Sequence, residues 1–305
     1  MVADPFRVLL GDLLEGIVVD RPNRFVAIVM LDGKEVRCHV ADSGRLKELI
    51  YPGNRVMVRS VGDGREKTGQ GLPSRKTSFD LVLASAGGPL TGYGSGGPEH
   101  DRTTWVSVDT RYPTRLFGQA LRARGVPEFA EYGVVRPEYS LYTHERNGVR
   151  RKTRVPEESE HAGERLLTTG IPDKGLGEKT KVRKQPRSRF DFYLEGSGVA
   201  PALVEVKSVT LCVNGKGLFP DAPTERGARH LRELAEAVSI GYRAYAVFIA
   251  QREDILTVSP NRNTDPKFAE ALAEAARRGV RLLAYRCSVS PREIVFDPAL
   301  LPVVV

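Results

Sequence analysis

The sequence predicts an α/β chain with a small all-β module in front: an N-terminal barrel, then a mixed sheet with flanking helices. Three observations carry that expectation. Residues 1–84 alternate apolar and polar positions in short β-branched runs separated by turn pairs, the pattern of half-buried strands. Residues 85–103 then combine six glycines with Pro89 and Pro98, the composition of a flexible linker. Residues 104–305 interleave capped amphipathic segments with apolar strands. At 305 residues the chain has room for two domains of the usual ~100–200 residues.

In the first module a strand is expected around Gly16–Val19, then Phe25–Leu31 and Lys34–Val40 joined by the Asp32-Gly33 hairpin pair. Ser43–Ile50 reads as a short helix because Leu46, Leu49 and Ile50 recur at helical spacing, with Asp42 or Ser43 as its cap. Pro52-Gly53 stops it, and Arg55–Val61 and Ser78–Ala84 resume as strands. Three strands, a helix and two strands is the order of an OB-fold, a barrel that often binds oligonucleotides. Arg21, Arg24, Arg45, Arg75 and Lys76 suit such a groove, or serve equally as solvated surface charge.

In the second module Thr114 reads as the cap of a helix from Arg115 to Arg124, followed by strands at Glu138–Thr143, Arg189–Glu195 and Ala202–Thr210. A helix at Ala228–Ser239 leads to the strand Ala244–Ala250. Asp265 caps a helix at Pro266–Arg278, which precedes the strand Val280–Tyr285. Helix, three strands, helix, strand is the core order of the PD-(D/E)xK nuclease-like fold, by analogy.

Charge narrows the class. The chain carries 46 Lys+Arg against 38 Asp+Glu, a net +8. Residues 144–187 hold 12 basic and 7 acidic side chains, more than half of that surplus, with no aromatics and no periodicity. They read as a solvated basic insertion able to add non-specific phosphate affinity. The hydrophobic fraction of 41% is enough for packed cores, and no apolar run is long enough to span a membrane. Asp12 and Glu15 break the one apolar stretch near the start, so no signal peptide is read there. Cys38, Cys212 and Cys287 form no CxxC pair, which excludes a thiolate zinc site and fits a reducing cytoplasm. No phosphate-binding glycine fingerprint and no GxSxG elbow occur. Nothing in the sequence fixes an oligomeric state.

The chemistry falls on two neighbouring strands. In Leu203–Lys207, Glu205 and Lys207 stand two apart and share a face, while Val204 and Val206 pack behind. Asp191 lies between Phe190 and Phe192. If the strands pair, Asp191 and Glu205 present two hard oxygen ligands to one Mg2+ or Mn2+, and Lys207 orients or deprotonates a water for attack on a phosphodiester. The acid-x-Lys pattern recurs at Asp32–Lys34 and Asp265–Lys267, but in a hairpin turn and a helix cap. A salt-bridge ladder on an exposed sheet face is the alternative. Arg115 at the first helix, and the loop Gly217–Gly227 entering a helix with Arg226 and His230, suit phosphate contact. That loop reads equally as a cap built around Asp221 and Thr224, and His230 equally as a packing histidine.

These residues carry a resemblance. The run ALVEVKSVTLCVNGKGLFPDAPTERGARHLREL at 202–234 resembles the sugar fermentation stimulation protein A family. So do SRFDF at 188–192, HVADSGRLKELIYPG at 39–53, RKTSFDLVL at 75–83 and GVRLLAYRCSVSPREI at 279–294. The resemblance leaves out the linker and the basic insertion. It implies an OB-like domain, a nuclease-like domain, DNA binding without strong sequence preference, and a role in regulating sugar, particularly maltose, metabolism. It places Asp191, Glu205 and Lys207 on the family's catalytic-like positions. Gln119 stands where the family carries a helix glutamate, and Glu138 is then the substitute metal ligand. Two functions follow: a DNA-binding protein with a metal-dependent nuclease-like site, or a non-catalytic DNA-binding regulator on the same fold. An RNA-binding module led by the barrel is a third.

Overall fold

The computed structural model describes residues 4–61, 77–87, 103–146, 149–153 and 185–305. Most of the predicted linker and the middle of the basic insertion lie outside them, as do Arg75 and Lys76. No helix among the described residues is long and apolar enough to cross a membrane.

The first strand, β1 (Arg7–Leu9), leaves the barrel region and joins the far sheet. The barrel is built from β2 (Leu14–Asn23), β3 (Val26–Leu31), β4 (Lys34–Val40), β5 (Arg55–Ser60) and β6 (Phe79–Ala86). They run in the order β4-β3-β2-β5-β6, and parallel pairing of β4 with β6, Val40 opposite Leu81, closes the ring. That closure is the OB arrangement the sequence predicted. Asp32 and Gly33 both have positive φ, 47° and 77°, as the two-residue turn between β3 and β4 requires. Alternate residues such as Val18, Ala27, Val29, Cys38 and Val58 fill the barrel interior. A sixth strand, β7 (Thr104–Ser107), pairs with β6 and was not foreseen.

The second module opens with α1 (Arg111–Arg122), four residues earlier than predicted. Thr110, not Thr114, is its N-cap residue. Pro113 falls in the first turn, where an N–H has no intrahelical acceptor, so the helix starts before the proline. Then come β8 (Val134–Arg146), β9 (Val149–Thr153), β10 (Gln185–Glu195) and β11 (Ala202–Val209). The expected insertion thus begins and ends inside strands, since β8 reaches Arg146 and β9 pairs back on it. After β11 a hairpin, β12 (Cys212–Val213) and β13 (Lys216–Phe219), precedes α2 (Glu225–Ser239). The chain closes with β14 (Arg243–Ala250), β15 (Thr257–Pro260), α3 (Pro266–Arg277), β16 (Arg281–Val289) and β17 (Glu293–Leu301).

The large sheet has the order β1-β17-β16-β14-β11-β10-β8-β9. β8, β10 and β11 form an antiparallel meander, and β11, β14 and β16 run parallel. Helix α1 packs Leu116, Phe117 and Leu121 on one face with Phe192, Val204 and Tyr285. Helices α2 and α3 pack Leu231, Leu234, Phe268 and Leu272 on the other with Leu203, Ala246 and Phe248. This is the predicted mixed sheet with flanking helices. The three cysteines are free thiols, two of them buried.

Candidate functional site

Strand alternation sorts the residues of β11. Val204 and Val206 join the α1-side core, and Glu205 is delivered to the opposite face, where α2 covers it. The pairing of Phe192 with Val204 sets Asp191 beside Glu205 on the adjoining strand. One Asp191 oxygen, Oδ2, accepts the Val206 backbone N–H at 2.7 Å. Glu205 is only 5% exposed. Its Oε1 accepts from Lys207 Nζ at 2.5 Å and sits 2.5 Å from His230 Nδ1. Its Oε2 is buried with no hydrogen-bond partner.

Burial pushes the Asp191 carboxyl up, the Glu205 charge adds to it, and the group titrates at about 6. Burial also pushes Glu205 up, but Lys207 and His230 together outweigh it and hold that carboxyl below its ordinary value. Two adjacent carboxyls are therefore set apart, one kept ionised and one held back.

These groups line a cleft of about 380 Å3 between the barrel and the sheet. Its far wall is the barrel loop after β4, and its rims are the first turn of α1 and the 218–226 loop that leads into α2. The predicted helix at Ser43–Ile50 does not form there. Leu46 takes φ 45°, and its N–H is drawn out of any helical ladder to Asp221 Oδ2 at 3.0 Å. Gly44 permits the approach, since a Cβ there would stand 2.5 Å from Asp221 Oδ2. Asp42 Oδ1 accepts the Gly44 N–H at 2.6 Å, and burial pushes the Asp42 carboxyl up to about 6. Arg21 ties the loop down by donating to the carbonyls of Arg24, Gly44 and Arg45.

The predicted triad, Asp191, Glu205 and Lys207, is thus gathered in the cleft. Arg226 lies at its rim, exposed, and its Nε–H reaches His230 Nε2 at 3.4 Å. His230 is buried at 1% exposure and turned toward Glu205, not toward solvent. Arg45 and Arg115 are exposed. Glu138 faces solvent on β8 and pairs with Arg189 at 3.4 Å, apart from the triad. Among the described residues no group of three His, Cys, Asp or Glu side chains is placed to hold a metal. Two carboxylates remain as the donor set. Sequence reasoning missed the Gly44–Asp221 junction, although a glycine inside the expected helix was a signal against that helix. It also missed the tie from His230 to Glu205: helical spacing sets residue 230 on the buried face of α2 with residues 227, 231 and 234, but no sequence signal names its partner.

The chain is similar to known proteins along nearly its whole length. Residues 19–92 match the family model of the SfsA N-terminal OB domain, and residues 161–293 match that of the sugar fermentation stimulation protein RE domain. The second match takes in residues of the insertion that the resemblance had left out. A sugar fermentation stimulation protein homolog of Moorella thermoacetica is 38% identical over 283 residues, 93% of each chain. One from Symbiobacterium thermophilum is 38% identical over 288 residues, covering 92% of this chain and 91% of its own. The structure of Pyrococcus furiosus SfsA in complex with Ca2+ has the same fold, with a TM-score of 0.66, 24% identity and 98% of both chains covered.

Proposed function

The chain belongs to the sugar fermentation stimulation protein family, and on that premise we propose that it binds DNA without strong sequence preference at a nuclease-like site that takes a divalent cation. The observation that carries the reading is Glu205 Oε2, a buried carboxylate oxygen with no partner, beside the half-buried carboxylate of Asp191 in the cleft. Burying a polar atom without a partner costs about 1–3 kcal/mol, and more when it is charged, which a bound cation offsets. Asp191 and Glu205 would hold the ion, and hard oxygen donors suit Mg2+ or Mn2+, as they suit the Ca2+ of the Pyrococcus relative. Bound there, the metal supplies Lewis-acid polarisation of a phosphodiester.

The chain's own residues do the rest. The Val206 N–H fixes Asp191, and Lys207 fixes Glu205 while keeping its ammonium beside the reacting position. Arg226 at the rim, with Arg45 and Arg115 exposed on the two modules, offers positive charge to the phosphate backbone. The basic residues of 144–187 add to that charge, and regulation of sugar metabolism through DNA is the physiological role consistent with the family's name. A second reading, a DNA-binding regulator without cleavage, is favoured by the lack of a third acidic ligand among the described residues. Linear and single-stranded DNA incubated with Mg2+ or Mn2+ separate the two. Cleavage by the wild type that Glu205→Ala abolishes is expected; equal, metal-independent background in both proteins overturns the enzyme reading. DNA affinity should fall steeply with salt, and RNA in the same assay tests for an RNA preference.

A further inference from the structure

The two oxygens of Glu205 have unequal surroundings, and α2 is the cause. Oε1 is crowded by Lys207 Nζ and His230 Nδ1, each at 2.5 Å, whereas Oε2 has no partner. Lys207 rises from the same strand on a long, flexible stem. His230 is different, because its ring is held from three sides. Its backbone belongs to α2, whose start is fixed by Thr224 Oγ1 accepting the Gly227 N–H at 3.0 Å. Phe190 packs edge-on against the ring with centroids 6.0 Å apart. The Arg226 Nε–H points at His230 Nε2 at 3.4 Å. An Nε2 that accepts leaves the proton on Nδ1, so Nδ1–H donates to Glu205 Oε1.

We propose that His230 is a positioning residue: its Nδ1–H pins Glu205 Oε1 to α2 and thereby leaves Oε2 as the oxygen offered to a divalent cation. The inference rests on the proposed metal site, and it adds a residue that never touches the metal. Groups of this kind, which orient a ligand through its other oxygen, alter metal affinity by about 10- to 100-fold when removed.

Isosteric amides supply the test. The side-chain nitrogen of asparagine falls where His Nδ1 lies, and that of glutamine where Nε2 lies. His230→Asn therefore keeps the donor to Oε1, and His230→Gln displaces it. Mn2+ titrations of full-length wild type and both variants are compared at one pH, with thermal melts confirming that each is folded. Affinity close to wild type for His230→Asn and about 10-fold or more weaker for His230→Gln is expected. Equal affinity in all three proteins overturns the inference while the metal site stands, as does equal weakening in both variants. Failure of the wild type to bind Mn2+ overturns the metal site and this inference with it. Should a variant not fold, nitrogen NMR of the wild-type imidazole decides: the Nδ1–H tautomer is expected, and the Nε2–H tautomer overturns the proposal.

Discussion

Replacing Asp191 with asparagine is expected to stabilise the metal-free protein at neutral pH, although the side chain is half-buried and hydrogen-bonded. Burial first, then the charge of Glu205, raise the Asp191 carboxyl from an ordinary 3.8 to about 6. A carboxyl raised on folding keeps its proton longer in the folded state than in the unfolded one. The contribution of Asp191 to stability is therefore undiminished below pH 3.8, falls as pH rises through the window to about 6, and stays lowered above it. At about 1.4 kcal/mol per unit, ionised Asp191 costs about 3 kcal/mol at neutral pH. An asparagine removes that cost but accepts the Val206 N–H less strongly, a loss of about 1 kcal/mol. The net gain for Asp191→Asn should be about 1–2 kcal/mol near pH 7.5 and close to zero near pH 3.5. Asp42, also raised to about 6, titrates in the same window, so the difference between the two proteins is the readout. Urea unfolding in EDTA, followed by the fluorescence of the single tryptophan, Trp105, measures it. Adding Mn2+ at neutral pH should stabilise the wild type and leave the variant where it was. A variant less stable than wild type at neutral pH, or one that gains equally at both pH values, refutes the electrostatic reasoning.

Two further outcomes concern the walls of the cleft. Gly44→Ala should cost about 1–3 kcal/mol, because the new Cβ displaces Asp221 and breaks its bond from the Leu46 N–H; in an Asp221→Ala background the same change should cost under about 0.5 kcal/mol. Equal costs in the two backgrounds, measured by urea unfolding, would show that the two residues are not coupled. Asp265→Ala should cost about 2 kcal/mol, since Asp265 caps α3 through the Phe268 N–H at 2.9 Å and holds the Thr224 N–H at 2.8 Å. Hydrogen exchange should then rise in the first turns of both α2 and α3, and unchanged protection in α2 would show that the Thr224 bond contributes nothing.

What the sequence made legible was local. Glu205 and Lys207, two apart on an apolar run, reveal their shared face through alternation alone, and Asp32-Gly33 reveals its turn through the φ it needs. The α3 cap at Asp265 was equally readable, because a cap and the proline after it are neighbours in the chain. The misreadings lie where a distant residue decides. Leu46, Leu49 and Ile50 have helical spacing, but Asp221, 175 positions away, takes the Leu46 N–H and the segment turns instead. β1 and β7 are three and four residues long, too short for periodicity to reveal, and each exists because a partner strand offers an open edge. His230 carries no local mark of its role. Only the packing of α2 against β11 shows that it meets Glu205.

The pairing of β1 with β17 bears on how the chain is made. Arg7 lies opposite Val295 and Leu9 opposite Glu293, so β1 waits for β17, the last strand of the described residues, to be synthesised. Every strand of the barrel and β7 falls within Leu14–Ser107 and finds its partners in that span, so the barrel can close while the sheet is still being synthesised. The contact of greatest sequence separation then forms last, after the longest loop has been closed. Until that moment Arg7–Leu9 is a free strand on a finished barrel, and translation stalled before Glu293 leaves β16 as an open edge with nothing to cover it.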